Sequence, residues 1–80
     1  MKLQDKTEIR LENSQMIGEL IKGHRKQNKI TQEELANFSG LSRIGVVKLE
    51  KEKSDIKLST LIKVASMLGF DLILKKRDRL

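Results

Sequence analysis

The 80-residue sequence contains no cysteine, no proline, no tryptophan and no tyrosine. Without cysteine it forms neither disulfides nor a cysteine-based zinc site. Its two phenylalanines are the only aromatic residues, so the core must consist of leucine, isoleucine and valine. No run of about 18 apolar residues occurs and no typical leader opens the chain, so we expect neither membrane insertion nor secretion but a cytoplasmic protein.

The composition is basic and rather poor in apolar residues. Lysine and arginine number 17 against 11 acidic residues, for a net charge of +6. Ten basic and six acidic residues lie between 13 and 69, and four basic and two acidic between 70 and 80. This excess fits either an ordinary lysine-rich surface or affinity for a polyanion. An apolar content of 38% is low for a free-standing domain of this size, which indicates that a partner subunit adds burial.

Hydrophobic periodicity and capping residues predict four helices between residues 13 and 69, which we take as one domain. They cover residues 14–28, 31–38, 42–51 and 58–68. Residues 1–12 are interpreted as an N-terminal arm, either a short strand or disordered, with a weak alternation at Ile9 and Leu11. Residues 70–80 read as an apolar strand followed by a basic tail. A single strand has no partner inside a helical domain, so it needs either the arm or a second chain.

The second and third predicted helices are short and are separated by a glycine turn. Thr31 and Glu34 fit a capping box at the start of the second helix, and Ser42 caps the third. Such a pair, with a helix on either side, is a helix-turn-helix arrangement. The spacing that supports it involves Gln32, Leu35, Ala36, Gly40, Val46 and Leu49.

The sequence from residue 31 to 53, TQEELANFSGLSRIGVVKLEKEK, resembles the lambda-repressor-like (XRE-type) helix-turn-helix family. With the following LSTLIKVASMLGFDLILKKRD, it is similar to HipB-type antitoxins. The resemblance implies an all-α fold of four to five helices with a C-terminal β-strand. That strand is expected to pair with its copy in a homodimer through Phe70, Leu72, Ile73 and Leu74.

The outer face of the third helix is expected to enter the major groove of DNA. Arg43 is the strongest candidate for reading a base, because a guanidinium can bridge both acceptors of guanine, although a phosphate contact is the alternative. Ile44 and Val47 could pack on thymine methyl groups or be plain surface residues. The complete set of candidate DNA contacts is Gln32, Ser42, Arg43, Ile44, Val47, Lys48, Lys51 and Lys53. The three lysines are assigned to phosphates, as is Gln32, for which a plain polar position is the alternative.

The remaining residues give no sign of catalysis. His24 is the single histidine, and no nucleophile elbow or phosphate-binding loop accompanies it. We therefore predict no enzyme activity, no catalytic residue, no metal and no cofactor, and a half-buried boundary position for His24. The family resemblance implies instead a structural ion pair between Arg25 and Glu50.

The function that the resemblance implies is repression of transcription by a nucleoid-associated protein that binds a palindromic operator in double-stranded DNA. The likeness to HipB adds control of its own operon and binding of a HipA-type serine/threonine kinase toxin. Two alternatives stay open: a stand-alone repressor without a toxin, and a protein-interaction module that has lost DNA binding. The basic tail, residues 74–80, either keeps the strand soluble or contacts phosphates or a toxin.

Overall fold

The computed structural model describes residues 8–51 and 55–78. They form four helices, α1 (Ser14–Gln27), α2 (Gln32–Ser39), α3 (Arg43–Lys51) and α4 (Leu58–Met67). Each bound lies within one residue of the prediction. Helix α3 packs against α1 and α2, and α4 packs against α2. Within the described residues, neither the arm at 8–12 nor the segment at 70–78 forms a strand, so a single chain does not show the predicted β-strand.

Side-chain caps determine where three of the helices begin. Oxygens of Asn13, Thr31 and Ser42 each accept a hydrogen bond, 2.9–3.0 Å long, from the backbone N–H three residues later. The Glu34 carboxylate accepts in return from the N–H of Thr31 at 2.8 Å, which completes the predicted capping box. Helix α4 has no side-chain cap, because Lys57 occupies the capping position.

The core is aliphatic, as predicted, and its largest fully buried side chains are Ile21, Leu35, Val46 and Val64. The prediction for α4 was wrong in part. Helical spacing in the sequence predicts a buried face made of Leu58, Leu61, Ile62, Ala65 and Leu68, but the side chains of Leu58 and Ile62 are 66% and 49% exposed. The apolar stripe of α4 is wider than one helix face, and Val64 takes the central inward position instead. Sequence periodicity alone does not distinguish these rotations of the helix.

The turn between α2 and α3 depends on Gly40. Its φ of 78° lies in the left-handed region, which glycine adopts without a steric penalty. The N–H groups of Gly40 and Leu41 both donate to the carbonyl of Ala36, at 3.0 and 3.1 Å. These bonds end α2 and direct the chain into α3, as the sequence predicts.

Gly18 on α1 has a different role, which no pattern in the sequence predicts. A Cβ atom at this position would lie 2.6 Å from the carbonyl oxygen of Leu49 and 3.2 Å from that of Glu50. Helix α1 therefore crosses the end of α3 with backbone against backbone. Gly23, on the same helix, has no heavy atom within 4 Å of a corresponding Cβ.

Alanine substitution should therefore have opposite effects at these two glycines. We expect Gly18→Ala to destabilise the protein by about 1–3 kcal/mol, because α1 and α3 must move apart. Gly23→Ala should stabilise it by about 0.5–1 kcal/mol, because alanine costs less backbone entropy in a helix. Urea unfolding followed by circular dichroism measures both. Equal free energies of unfolding for the two variants would contradict the close helix crossing.

Candidate nucleic-acid interface

The candidate interface is the outer face of α3. Ser42, Arg43, Ile44, Lys48 and Lys51 are exposed there, Ile44 with 69% of its surface. The opposite side of the helix is buried. This arrangement presents a continuous surface rather than a pocket, which suits contact with a large partner.

Helix geometry explains why these residues are exposed. Val46 and Leu49, three residues apart, point into the core. Positions 44, 48 and 51 follow the spacing of a second face, which must then point outward. Val47 lies between the two faces and is half-buried, so it is less accessible than the sequence prediction assumed. Lys53 lies outside the described residues.

The exposed charge of α3 is entirely positive. Arg43, Lys48 and Lys51 are its basic residues, and Glu50 is its single acidic residue. Glu50 is 8% exposed and forms an ion pair with Arg25 of α1. The surface of the helix thus carries cations without an exposed carboxylate of its own.

The ion pair between Arg25 and Glu50, which the family resemblance implies, is present in the structure. Nε of Arg25 donates to Oε2 of Glu50 at 2.6 Å and Nη2 donates to Oε1 at 3.2 Å. The third guanidinium nitrogen, Nη1, donates to the carbonyl of Ile30 at 2.9 Å. Arg25 is 7% exposed. The guanidinium therefore fixes both the end of α3 and the turn between α1 and α2.

Gln32, at the first position of α2, belongs to the same network. Its Nε2 donates to Oε1 of Glu50 at 3.2 Å, and its side chain is half-buried. Because an amide nitrogen carries two hydrogens, one remains for a second acceptor. Acidic residues already occupy the first turn of α2, namely Glu33 and Glu34. The Gln32–Glu50 bond leaves no local signal in the sequence, since the two residues are 18 positions apart.

His24, on α1, has an aromatic partner. Its ring is half-buried and packs edge-to-face on Phe70, with ring centroids 4.7 Å apart. Among residues 8–51 and 55–78, no three histidine or acidic side chains group together as metal ligands would. Over the same residues, each helix is too short or too polar to cross a membrane.

Residues 21–74, which include this surface, match the family model described as Helix-turn-helix. The chain belongs to the XRE-type helix-turn-helix family. Members of this family are DNA-binding regulators. The family assignment agrees with the resemblance found in the sequence and with the position of α2 and α3 in the fold.

Two known proteins are similar to this chain in sequence. The chain is 42% identical over 53 residues to an immunity repressor protein of Bacillus phage phi105, over 66% of this chain and 37% of that protein. It is 34% identical over 55 residues to the control protein C.SmaI of Serratia marcescens. This alignment covers 69% of this chain and 66% of that protein. The chain therefore spans less than two thirds of the length of either relative.

A solved structure shares the fold. A chain of the HipA–HipB–O2–O3 complex superposes with a TM-score of 0.72 and 24% sequence identity. The superposition covers 85% of this chain and 96% of that chain. At this level of identity the likeness concerns the helical arrangement alone.

Removing one partner of the buried ion pair should destabilise the helix-turn-helix domain. We expect Arg25→Met to cost about 3–5 kcal/mol, because Glu50 keeps a buried charge without its partner. The double variant Arg25→Met/Glu50→Leu should recover part of that loss. Lys22→Met, which removes an exposed charge from the same helix, is the matched control and should change stability by less than about 0.5 kcal/mol. Denaturant unfolding measures all of these, and an unchanged stability of Arg25→Met would contradict the structural role of the pair.

Proposed function

We propose that this protein is a sequence-specific DNA-binding transcriptional repressor that uses the exposed face of α3 to read the major groove. The observation that carries the proposal is the surface of α3, where exposed cations surround an exposed isoleucine and the single carboxylate is buried in an ion pair. A duplex edge offers phosphates to the cations and base edges to the side chains near the helix N-terminus.

Each side chain of this surface has a proposed role. Arg43 lies in the first turn of α3 and reads a guanine edge by two hydrogen bonds. Ile44 contacts a thymine methyl group, and its 69% exposure leaves it free to do so. Lys48 and Lys51 lie further along the helix and contact phosphates, as does Lys53. Ser42, Val47 and Gln32 complete the contact set, Gln32 through the second hydrogen of its amide.

The proposed repressor acts as a homodimer on a palindromic site. Two copies joined through residues 70–74 would place two α3 helices in successive major grooves, about 34 Å apart. The exposed apolar residues of that segment support this assignment, because Ile73 and Leu74 are 81% and 100% exposed in the single chain. Occupation of the operator would then block a promoter.

The narrower proposal is that the protein is a HipB-like antitoxin, which represses its own operon and binds a HipA-type kinase toxin. It is supported by the shared fold with a chain of the HipA–HipB–O2–O3 complex and by the apolar segment that directly follows α4. A stand-alone repressor is the second candidate. The 42% identity to the immunity repressor of phage phi105 supports that candidate.

The DNA-binding proposal predicts separate effects for Arg43 and Lys48. The operator would first be identified by selection from genomic DNA and then used in fluorescence anisotropy across a range of salt concentrations. Arg43→Ala should lose about 5- to 150-fold in affinity for the operator and much less for unrelated DNA, because a base contact is worth about 1–3 kcal/mol. Lys48→Ala should weaken both complexes equally and reduce the log–log salt slope by about 0.9.

Lys63→Ala provides the matched control, since Lys63 is an exposed cation on α4, outside the helix-turn-helix pair. Its removal should leave the salt slope within about 0.2 of the unmodified protein. An affinity that does not depend on salt would overturn the proposed DNA binding and favour a protein-interaction module. Equal losses for Arg43→Ala on operator and unrelated DNA would assign Arg43 to a phosphate.

The antitoxin proposal predicts a kinase partner. Tagged protein purified from its native cells should bring down a HipA-type serine/threonine kinase encoded beside it, and the purified pair should form a complex in size-exclusion chromatography. If the protein binds its operator but no such kinase is encoded nearby or retained, the stand-alone repressor is the correct assignment.

A further inference from the structure

The segment after α4 is fixed at its first residue and free beyond it. Gly69, with a φ of 87°, ends α4, and the N–H of Phe70 donates to the carbonyl of Ala65 at 2.8 Å. The ring of Phe70 packs on His24. Ile73 and Leu74 are 81% and 100% exposed, and residues 75–78 are also exposed. The segment therefore leaves the domain at a defined point with its backbone edge open to a partner.

Side-chain alternation gives this segment two distinct faces if it is extended. Phe70, Leu72 and Leu74 share one face, and Asp71, Ile73 and Lys75 share the other. The second face carries an acidic residue and a basic residue at equal distances from Ile73. Such a pattern is self-complementary, because two identical strands that run antiparallel place each charge opposite its counterpart.

This pattern selects one pairing register. We propose that two copies of the chain pair antiparallel with Ile73 on the two-fold axis, so that Asp71 lies opposite the partner's Lys75 and Leu72 lies opposite the partner's Leu74. The proposal rests on the homodimer of the proposed function and specifies its interface. It commits to a second copy of this chain as the occupant of the open edge, on the grounds of charge complementarity.

The neighbouring registers match less well. A two-fold axis perpendicular to the two-stranded sheet must keep equivalent side chains of both copies on the same face. The alternative registers are therefore those in which the axis passes through a neighbouring residue. Centring on Leu72 places Asp71 opposite Ile73 and leaves Lys75 opposite a glycine. Centring on Leu74 brings Asp71 to Arg77, but it also places Lys75 opposite Ile73. Only the register centred on Ile73 pairs opposite charges and apolar side chains at every position from 71 to 75.

The surroundings of the segment provide apolar surface for two strands. It borders a groove of about 490 Å³. The apolar walls of the groove include Ile9, Leu11, Ile17, Leu20, Leu61 and Leu68. Ile9 and Leu11 are 37% and 39% exposed in the single chain. A ribbon of two strands over this groove would cover apolar side chains that one segment leaves open.

Cysteine cross-linking in the full-length protein tests the register directly. The chain has no cysteine, so Ile73→Cys introduces the single thiol. Directly opposite residues in an antiparallel pair lie about 4.5–5.5 Å apart between Cα atoms, within the range of a disulfide. We expect Ile73→Cys to form a covalent dimer under mild oxidation. In this register position 72 lies opposite position 74 of the second copy. Leu72→Cys alone and Leu74→Cys alone should therefore form no covalent dimer, whereas a mixture of the two variants should cross-link.

Charge exchange gives a second measurement. Asp71→Lys should raise the dimer dissociation constant by about tenfold or more, because two like-charged contacts replace two attractive ones. The double variant Asp71→Lys/Lys75→Asp should return it to within about twofold of the unmodified value. Asp78→Lys makes the same charge change outside the paired residues and is the control. Analytical ultracentrifugation gives the constants.

The outcomes separate this inference from the DNA-binding proposal. Cross-linking through Leu72→Cys or Leu74→Cys alone overturns the register, and so does failure of the double charge variant to recover. A protein that binds its operator but shows no cross-link at positions 72, 73 or 74 disproves the strand pairing and leaves the DNA-binding proposal standing. A dimer with the expected cross-links and no affinity for DNA confirms the pairing and rejects the repressor.

Discussion

The structure depends on one buried ion pair that joins three elements. Arg25 of α1 donates to Glu50 at the end of α3 and to the backbone of Ile30 before α2, while Gln32 of α2 donates to the same carboxylate. A charge taken out of water must be fully paired, which restricts the positions of all three helices at once. The orientation of α3 thus follows from contacts on its inner side, while Arg43, Ile44, Lys48 and Lys51 stay exposed on its outer side.

This separation lets the two faces of α3 carry different properties. Val46 and Leu49 pack in the core, and the buried carboxylate of Glu50 is paired with Arg25 inside the domain. The outer face is then free to be basic, with Arg43 and Lys48 in water. The net charge of +6 is consistent with a polyanionic partner, but it is the placement of these residues on one exposed helix that supports DNA recognition.

Much of this fold is predictable from local signals in the sequence. The capping box at Thr31 and the turn at Gly40 involve hydrogen bonds between residues three to five positions apart. Capping rules and hydrophobic periodicity therefore locate both in the sequence. The inward face of α4 was not predictable, because Val64 and Ile62 compete for the core and only tertiary packing decides between them. The Gln32–Glu50 bond and the crossing at Gly18 depend on distant partners. For the site, sequence indicated which residues are polar and helical, while their exposure, and the half-burial of Val47, required the fold.

The edge-to-face contact between His24 and Phe70 has a geometric consequence for any assembly of this chain. His24 and Arg25 are consecutive residues on α1, so a single helical turn carries both the anchor of the terminal segment and the guanidinium that orients α3. The point where the terminal segment leaves the domain is therefore fixed relative to the helix that would meet DNA. In a dimer joined through this segment, the distance between the two α3 helices would accordingly depend on how residues 71–75 of the two copies pair.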